Sequence, residues 1–290
     1  MRNLNLALNC FILIFCINAC QPESPKVHYP TPHPNEKPSV FLPGIVSSGS
    51  DSLDFNAAFA LDGKTFYFSR SIKGKYTIME SVFNGKEWQQ PVTSQLFDTS
   101  FSNTDPFFST DGSLYFISNR PKDGNDSIDD YDIYVMRKLN ENWKDPERLT
   151  INSDSTEYYV SVSHTGNLYF ASYRDGNLDL YMSLNKGGQY EKPLLLTALN
   201  SLADEHDPLI APDESYIIFN SSREGGFGQA DLYISHRLNG QWQTPINMGA
   251  AINTTSYEYC PNFGPDQKYL FYSSEYDVKW ISANILNSYQ

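Results

Sequence analysis

The chain of 290 residues carries 34 Asp and Glu against 21 Lys and Arg, a formal net charge of −13. That balance argues against a partner held through nucleic-acid phosphates. Hydrophobic residues at 40% and aromatics at 14% exclude a disordered chain, and the four cysteines do not form a disulfide framework.

Met1 to Ala19 opens with one positive charge, Arg2, and continues into an apolar run from Cys10 to Ala19. The run is too short for a confident bilayer span and reads as an export signal. It ends in Ile17-Asn18-Ala19-Cys20, which resembles the bacterial lipobox, whose cysteine is lipidated and becomes the first residue after cleavage. That resemblance implies that Cys20 is a lipidation site and that the protein sits on a membrane of the bacterial cell envelope. The competing reading is an ordinary secretory signal cut elsewhere. Residues 20–37, rich in Pro and polar side chains, read as a flexible linker between the anchor and a folded domain over 38–290. Removal of 1–19 leaves Cys260 as the only cysteine besides Cys20.

The folded part repeats one phrase five times: ALDGKTFYFSR (Ala60 to Arg70), STDGSLYFISNR (Ser109 to Arg120), SHTGNLYFASYR (Ser163 to Arg174), APDESYIIFNSSR (Ala211 to Arg223) and GPDQKYLFYSSE (Gly264 to Glu275). A unit of about fifty residues that returns at a fixed period is one supersecondary module repeated. In the second unit the alternating runs predict four strands, roughly Pro106 to Ser109, Ser113 to Ser118, Tyr131 to Arg137 and Trp143 to Leu149. Asp111-Gly112 supplies a tight hairpin turn, and Asn84-Gly85 and Asn239-Gly240 mark turns between strands three and four. Ahead of each repeat lies a proline: Pro43, Pro91, Pro146, Pro193 and Pro245.

A four-stranded sheet of this size buries little alone, so the sheets must stack around an axis. The last unit supplies three strands, and Ser39 to Val46 stands where a fourth belongs. The expected fold is therefore all-β: a five-bladed β-propeller of four-stranded antiparallel blades, with an N-terminal strand completing the last one. Closure also removes open sheet edges. The phrases resemble the WD40-like β-propeller repeat of the TolB type, with its Pro-Asp-Gly turn, Leu-Tyr-Phe strand, Ser-x-Arg and Asp-Ile-Tyr; Ser221 to Tyr233 is the best copy. The resemblance implies envelope scaffolding and covers about Ser39 to Ile285. Units one and five depart from it, with Thr77 for the strand-three Asp, Glu275 for the arginine and Lys279 for the tyrosine.

Strand order puts the Asp-Gly turns on one face of the disc, the turn face. The two-three loops and blade links lie on the other, the loop face, where function concentrates. Entering strand one on the loop face are Asp54, Asn103, Glu157, Glu205 and Glu258. Two residues further on are Asn56, Asp105, Tyr159, Asp207 and Cys260, and between them Phe55, Thr104, Tyr158, His206 and Tyr259. The candidate ligand mouth is Asp54, Asp105, Glu157, Tyr158, Glu205, His206, Asp207, Glu258 and Tyr259. Carboxylates interleaved with aromatics suit a glycan, a cationic peptide or a metal ion. The alternative role for the acids is pairing with Arg70, Arg120, Arg174 and Arg223, which end strand two on the same face. Those arginines could instead be taken by Asp132, Asp179 and Asp231, which open strand three.

The acidic loop Pro121 to Tyr131 holds Asp123, Asn125, Asp126, Asp129 and Asp130 but lacks the spacing of an EF-hand; it reads as solvated, and no metal or cofactor is expected. No nucleophile elbow occurs, and His164 and His236 do not converge with His206. The function expected is noncatalytic binding of an envelope protein or glycan, with no catalytic residue. The rival is a five-bladed-propeller glycoside hydrolase using carboxylates in the mouth.

Overall fold

A computed structural model describes residues 26–48, 53–122 and 130–289. Cys20, the signal segment and most of the acidic loop around Asp126 lie outside them. Among the described residues no helix is long and apolar enough to cross a membrane.

Five antiparallel sheets follow one another along the chain and close into a ring, the expected five-bladed propeller. The inner strands are Asp54–Phe59, Asn103–Phe108, Glu157–Val162, Glu205–Ile210 and Tyr259–Phe263. The second strands, Thr65–Ile72, Leu114–Ser118, Leu168–Ser172, Tyr216–Ser221 and Tyr269–Ser274, carry the Leu-Tyr-Phe phrase. They are almost wholly buried, because sheets packed on both faces need side chains of both parities to be apolar. Third strands run over Lys75–Val82, Asp132–Met136, Asp179–Ser183, Asp231–Leu238 and Asp277–Ser282.

The outer strands are only two residues long: Val92–Thr93, Glu147–Arg148, Leu194–Leu195 and Ile246–Asn247. The run from Trp143 to Leu149 is thus not one strand. Asn142–Trp143 folds back on Lys138–Leu139 as a ribbon, and only Glu147–Arg148 joins the sheet. Pro146 separates the two because it has no N–H to give to a ladder. Pro193 and Pro245 stand at the same break in blades three and four.

The fifth outer strand is Ser39–Val40, paired with Trp280 and Lys279 of the last unit. Behind it Phe41, with no exposed surface, sits among Phe59, Phe66, Phe271 and Trp280 and joins the first blade to the last.

Within residues 26–37 of the expected linker, residues 27–30 and Pro34 are half-buried or buried and the rest are exposed. The Tyr29 ring lies 4.5 Å from Tyr269 and 5.8 Å from Trp280, and its hydroxyl donates to Asp266 Oδ1 at 2.7 Å. His28 stacks on Phe83 at 4.2 Å while its carbonyl accepts from Trp88 Nε1. Two turn glycines make room for this leader: a Cβ on Gly63 would stand 2.9 Å from the Lys26 carbonyl, and one on Gly264 2.2 Å from the Tyr29 hydroxyl. Pro and polar composition suggested an unpacked segment, but three aromatic and imidazole rings spaced along it supply the apolar surface that docks it. The leader therefore crosses the turn face.

Candidate functional site

All five inner strands break register at the same place, between Phe55 and Ala58, Thr104 and Phe107, Tyr158 and Val160, His206 and Leu209, and Tyr259 and Asn262. Each break is a bulge whose extra residue takes the left-handed region, with φ of 54° at Asn56, 53° at Asp105, 37° at Tyr159, 53° at Asp207 and 49° at Cys260. Asn and Asp tolerate that conformation, whereas for Tyr159 and Cys260 it costs about 1–2 kcal/mol each. The bulges re-aim the strand, so that Asp105, Asp207 and Cys260 reach the axis on the loop face.

There they form the floor of a cavity of about 190 Å³ to which every inner strand contributes. Its walls are Leu53, Phe55, Tyr76, Tyr131, Tyr158 and Tyr259, with Thr104, Ile117 and His206 beside the floor. Among the described residues no Lys or Arg lines it.

The two floor carboxylates occupy unlike surroundings. Asp207 is well served: Oδ1 lies 2.9 Å from His206 Nδ1, and Oδ2 accepts the Cys260 N–H at 2.9 Å. Burial pushes its carboxyl up, but His206 and Cys260 prevail and hold it below the usual range. His206 is shifted the other way. Burial disfavours its cation, and the Asp207 carboxylate overcomes this and raises the imidazole. The far nitrogen of His206, Nε2, is 2.5 Å from the Tyr257 hydroxyl. Among the described residues the side chain of Asp105 has long contacts, to Asn56 Nδ2 at 3.3 Å, Thr104 Oγ1 at 3.2 Å and Cys260 Sγ at 4.0 Å, all at Oδ1. Burial, then the nearby Asp207 charge, pushes its carboxyl up to about 7. The Cys260 thiol is raised, again chiefly by burial.

Of the residues expected at the mouth, Asp105, Tyr158, His206, Asp207 and Tyr259 line this cavity, while Asp54, Glu157, Glu205 and Glu258 do not. These four are fully buried in contacts at the blade edges. Glu157 Oε1 accepts from Arg174 Nη2 at 3.0 Å and from Ser172 Oγ at 2.9 Å, and Glu205 Oε1 accepts from Arg223 Nη2 at 3.0 Å and Ser221 Oγ at 2.6 Å. Asp54 meets Arg70 at 2.5 Å. Glu258 has no arginine in its unit and accepts instead from Thr254 and Ser274 hydroxyls, each at 2.7 Å. Arg174 and Arg223 also lie over the phrase's own rings, 4.9 Å from the centroids of Tyr181 and Tyr233 respectively. Asp132 does not take these arginines; Arg148 of its own blade holds it in two bonds of 2.5 and 2.6 Å.

Among the aromatic residues around the cavity, three escaped the sequence reading. Tyr76 and Tyr131 stand in the position just before the strand-three Asp of the repeat, a register signal that was there to find. Tyr257 belongs to no repeated phrase.

No protein-family model matches the chain, and no curated protein does. Solved structures do. TolB from Agrobacterium tumefaciens matches at 20% identity with TM-score 0.51, over 78% of this chain and 71% of that one. A protein of unknown function from Dyadobacter fermentans matches at 12% and 0.52, over 87% and 83%. TolB from Acinetobacter baumannii matches at 16% and 0.48, over 78% of this chain but 53% of that one, so this chain spans about half its length. At these identities the likeness is one of fold: the chain carries a TolB-type β-propeller.

Proposed function

We propose that this is a lipid-anchored propeller of the bacterial cell envelope that binds a protein or glycan in its axial mouth without transforming it. The observation that carries the reading is the cavity itself, a single concave site shared by all five inner strands, with aromatic walls over a carboxylate floor. The envelope location rests on the signal and Cys20, and a TolB-type scaffold accords with it.

Anchoring gives the disc an orientation. From Cys20 to Lys26 the chain spans at most about 20 Å, and from Lys26 onward the leader lies on the turn face. The turn face is therefore held toward the membrane and the mouth faces away from it.

A glycoside hydrolase is the second reading, favoured by one observation: Asp105 and Asp207 are pushed apart, one up and one down, as an acid and its partner carboxylate must be. One experiment addresses both. The lipid-free Cys20→Ser chain is immobilised and challenged with envelope proteins and a glycan array, beside a Tyr158→Ala/Tyr259→Ala variant and a Glu205→Gln control. Retention by the chain and the control, lost in the double variant, is expected. Equal retention by all three removes the mouth from the account, and turnover of aryl glycosides abolished by Asp105→Asn establishes the hydrolase instead.

A further inference from the structure

The axial cavity presents an acceptor that no cation among the described residues touches directly. Asp54, Glu157 and Glu205 each meet an arginine, and Asp207 meets His206. Asp105, 5% exposed, has one long amide contact, one long hydroxyl contact and a thiol. Burying a carboxylate so thinly bonded is unfavourable until a cation or stronger donors arrive. Among the described residues Asn56, Thr104 and Cys260 meet Asp105 from the protein side, and the carboxylate also lines the cavity, where a further partner can reach it.

The cavity's shape narrows what that cation is. Phe55, Tyr76, Tyr131, Tyr158 and Tyr259 form a wall of five rings above the floor, a surface that attracts a cation's charge and covers an apolar stem. Its volume of about 190 Å³ admits one side-chain-sized group and not a folded element. A divalent ion is a poorer match, since among the described residues no three His, Cys, Asp or Glu side chains are placed to hold one. An anion would face two carboxylates.

We propose that the axial cavity binds a primary ammonium group carried on an apolar stem, with Asp105 as its counter-ion, Asp207 and Thr104 as further acceptors and the five rings around the stem. This deepens the axial-binding reading and rests on it. A lysine side chain and an amino sugar both carry a primary ammonium, so the source is decided by experiment.

The groups facing Asp105 are Asn56, Thr104, Asp207, His206, Tyr158, Tyr159, Tyr259 and Cys260. Of these His206 is the cation, and its charge grows as pH falls. Protonation of Asp105 and of His206 therefore act in the same direction, against a bound ammonium at acid pH.

The test is calorimetric titration of the Cys20→Ser chain at pH 8.0 and 5.5 with n-butylamine, n-butanol, Nα-acetyl-lysine methylamide, glucosamine and glucose. Binding of n-butylamine, at least tenfold weaker at pH 5.5 and at least tenfold weaker in Asp105→Asn at pH 8.0, with no binding of n-butanol, is expected. Preference for the lysine amide assigns the ammonium to a polypeptide, and preference for glucosamine over glucose assigns it to a glycan. If n-butanol binds as well as n-butylamine, or Asp105→Asn binds undiminished, the ammonium assignment is wrong. Glucose binding without amine binding overturns it while leaving axial recognition standing. Silence of every probe overturns it too, and retention of a partner in the capture experiment then decides axial recognition separately.

Discussion

At the scale of single residues, acids two positions apart on one strand do opposite work. Glu157 and Glu205 hold blade edges together through arginine and serine, whereas Asp105 and Asp207 reach the axis. Removing one partner of a buried pair leaves the other uncompensated, at a cost of about 3 kcal/mol. Asp105 has the reverse sign. Its carboxyl titrates near 7 in the fold, above its value in the unfolded chain, so its contribution is fully present below the unfolded value and is lost as pH rises toward 7. Without ligand, Asp105→Asn should therefore melt higher than the parent at pH 8, with the difference vanishing by pH 4; thermal scans that show lower melting at pH 8 would contradict this. The sequence placed all these acids on one face. It could not say which turn inward, because the five bulges shift the parity of the strand, and a bulge leaves no mark in alternation.

Among elements, the repeated turn and the Leu-Tyr-Phe strand made the blades and their number legible, since each phrase is a hairpin whose strand is buried on both sides. The closing strand was legible because the last unit supplies only three strands, but Pro43 misplaced it: the other prolines directly precede their outer strands, whereas Ser39–Val40 lies ahead of Pro43. The docked leader was not, because the interaction depends on what meets it. Tyr29 finds Tyr269 and Trp280 from the far end of the chain, and Gly264 stands where the other units have Ala or Ser. Phe41→Ala should cost about 3–5 kcal/mol, because its ring is wholly enclosed at the seam. Tyr29→Ala should cost less, since that ring keeps some exposure. Urea unfolding of both variants checks the order; a neutral Phe41→Ala would mean that the ring closes without the N-terminal strand.

For the molecule as a whole, the proposed function assigns anchoring to one face of the disc and recognition to the other. The turn face receives the leader from Lys26 onward. The loop face gathers the five bulges into one cavity whose carboxylates stand in unlike surroundings. Hydrogen exchange on the lipidated chain bound to vesicles, with and without a captured partner, tests this division most directly. Partner binding should slow exchange at residues 53–55, 104–105, 158–159, 206–207 and 257–260 around the mouth, and leave the turn-face hairpins at 62–64, 111–113 and 239–241 unchanged. Protection confined to those hairpins or to the outer strands would contradict it.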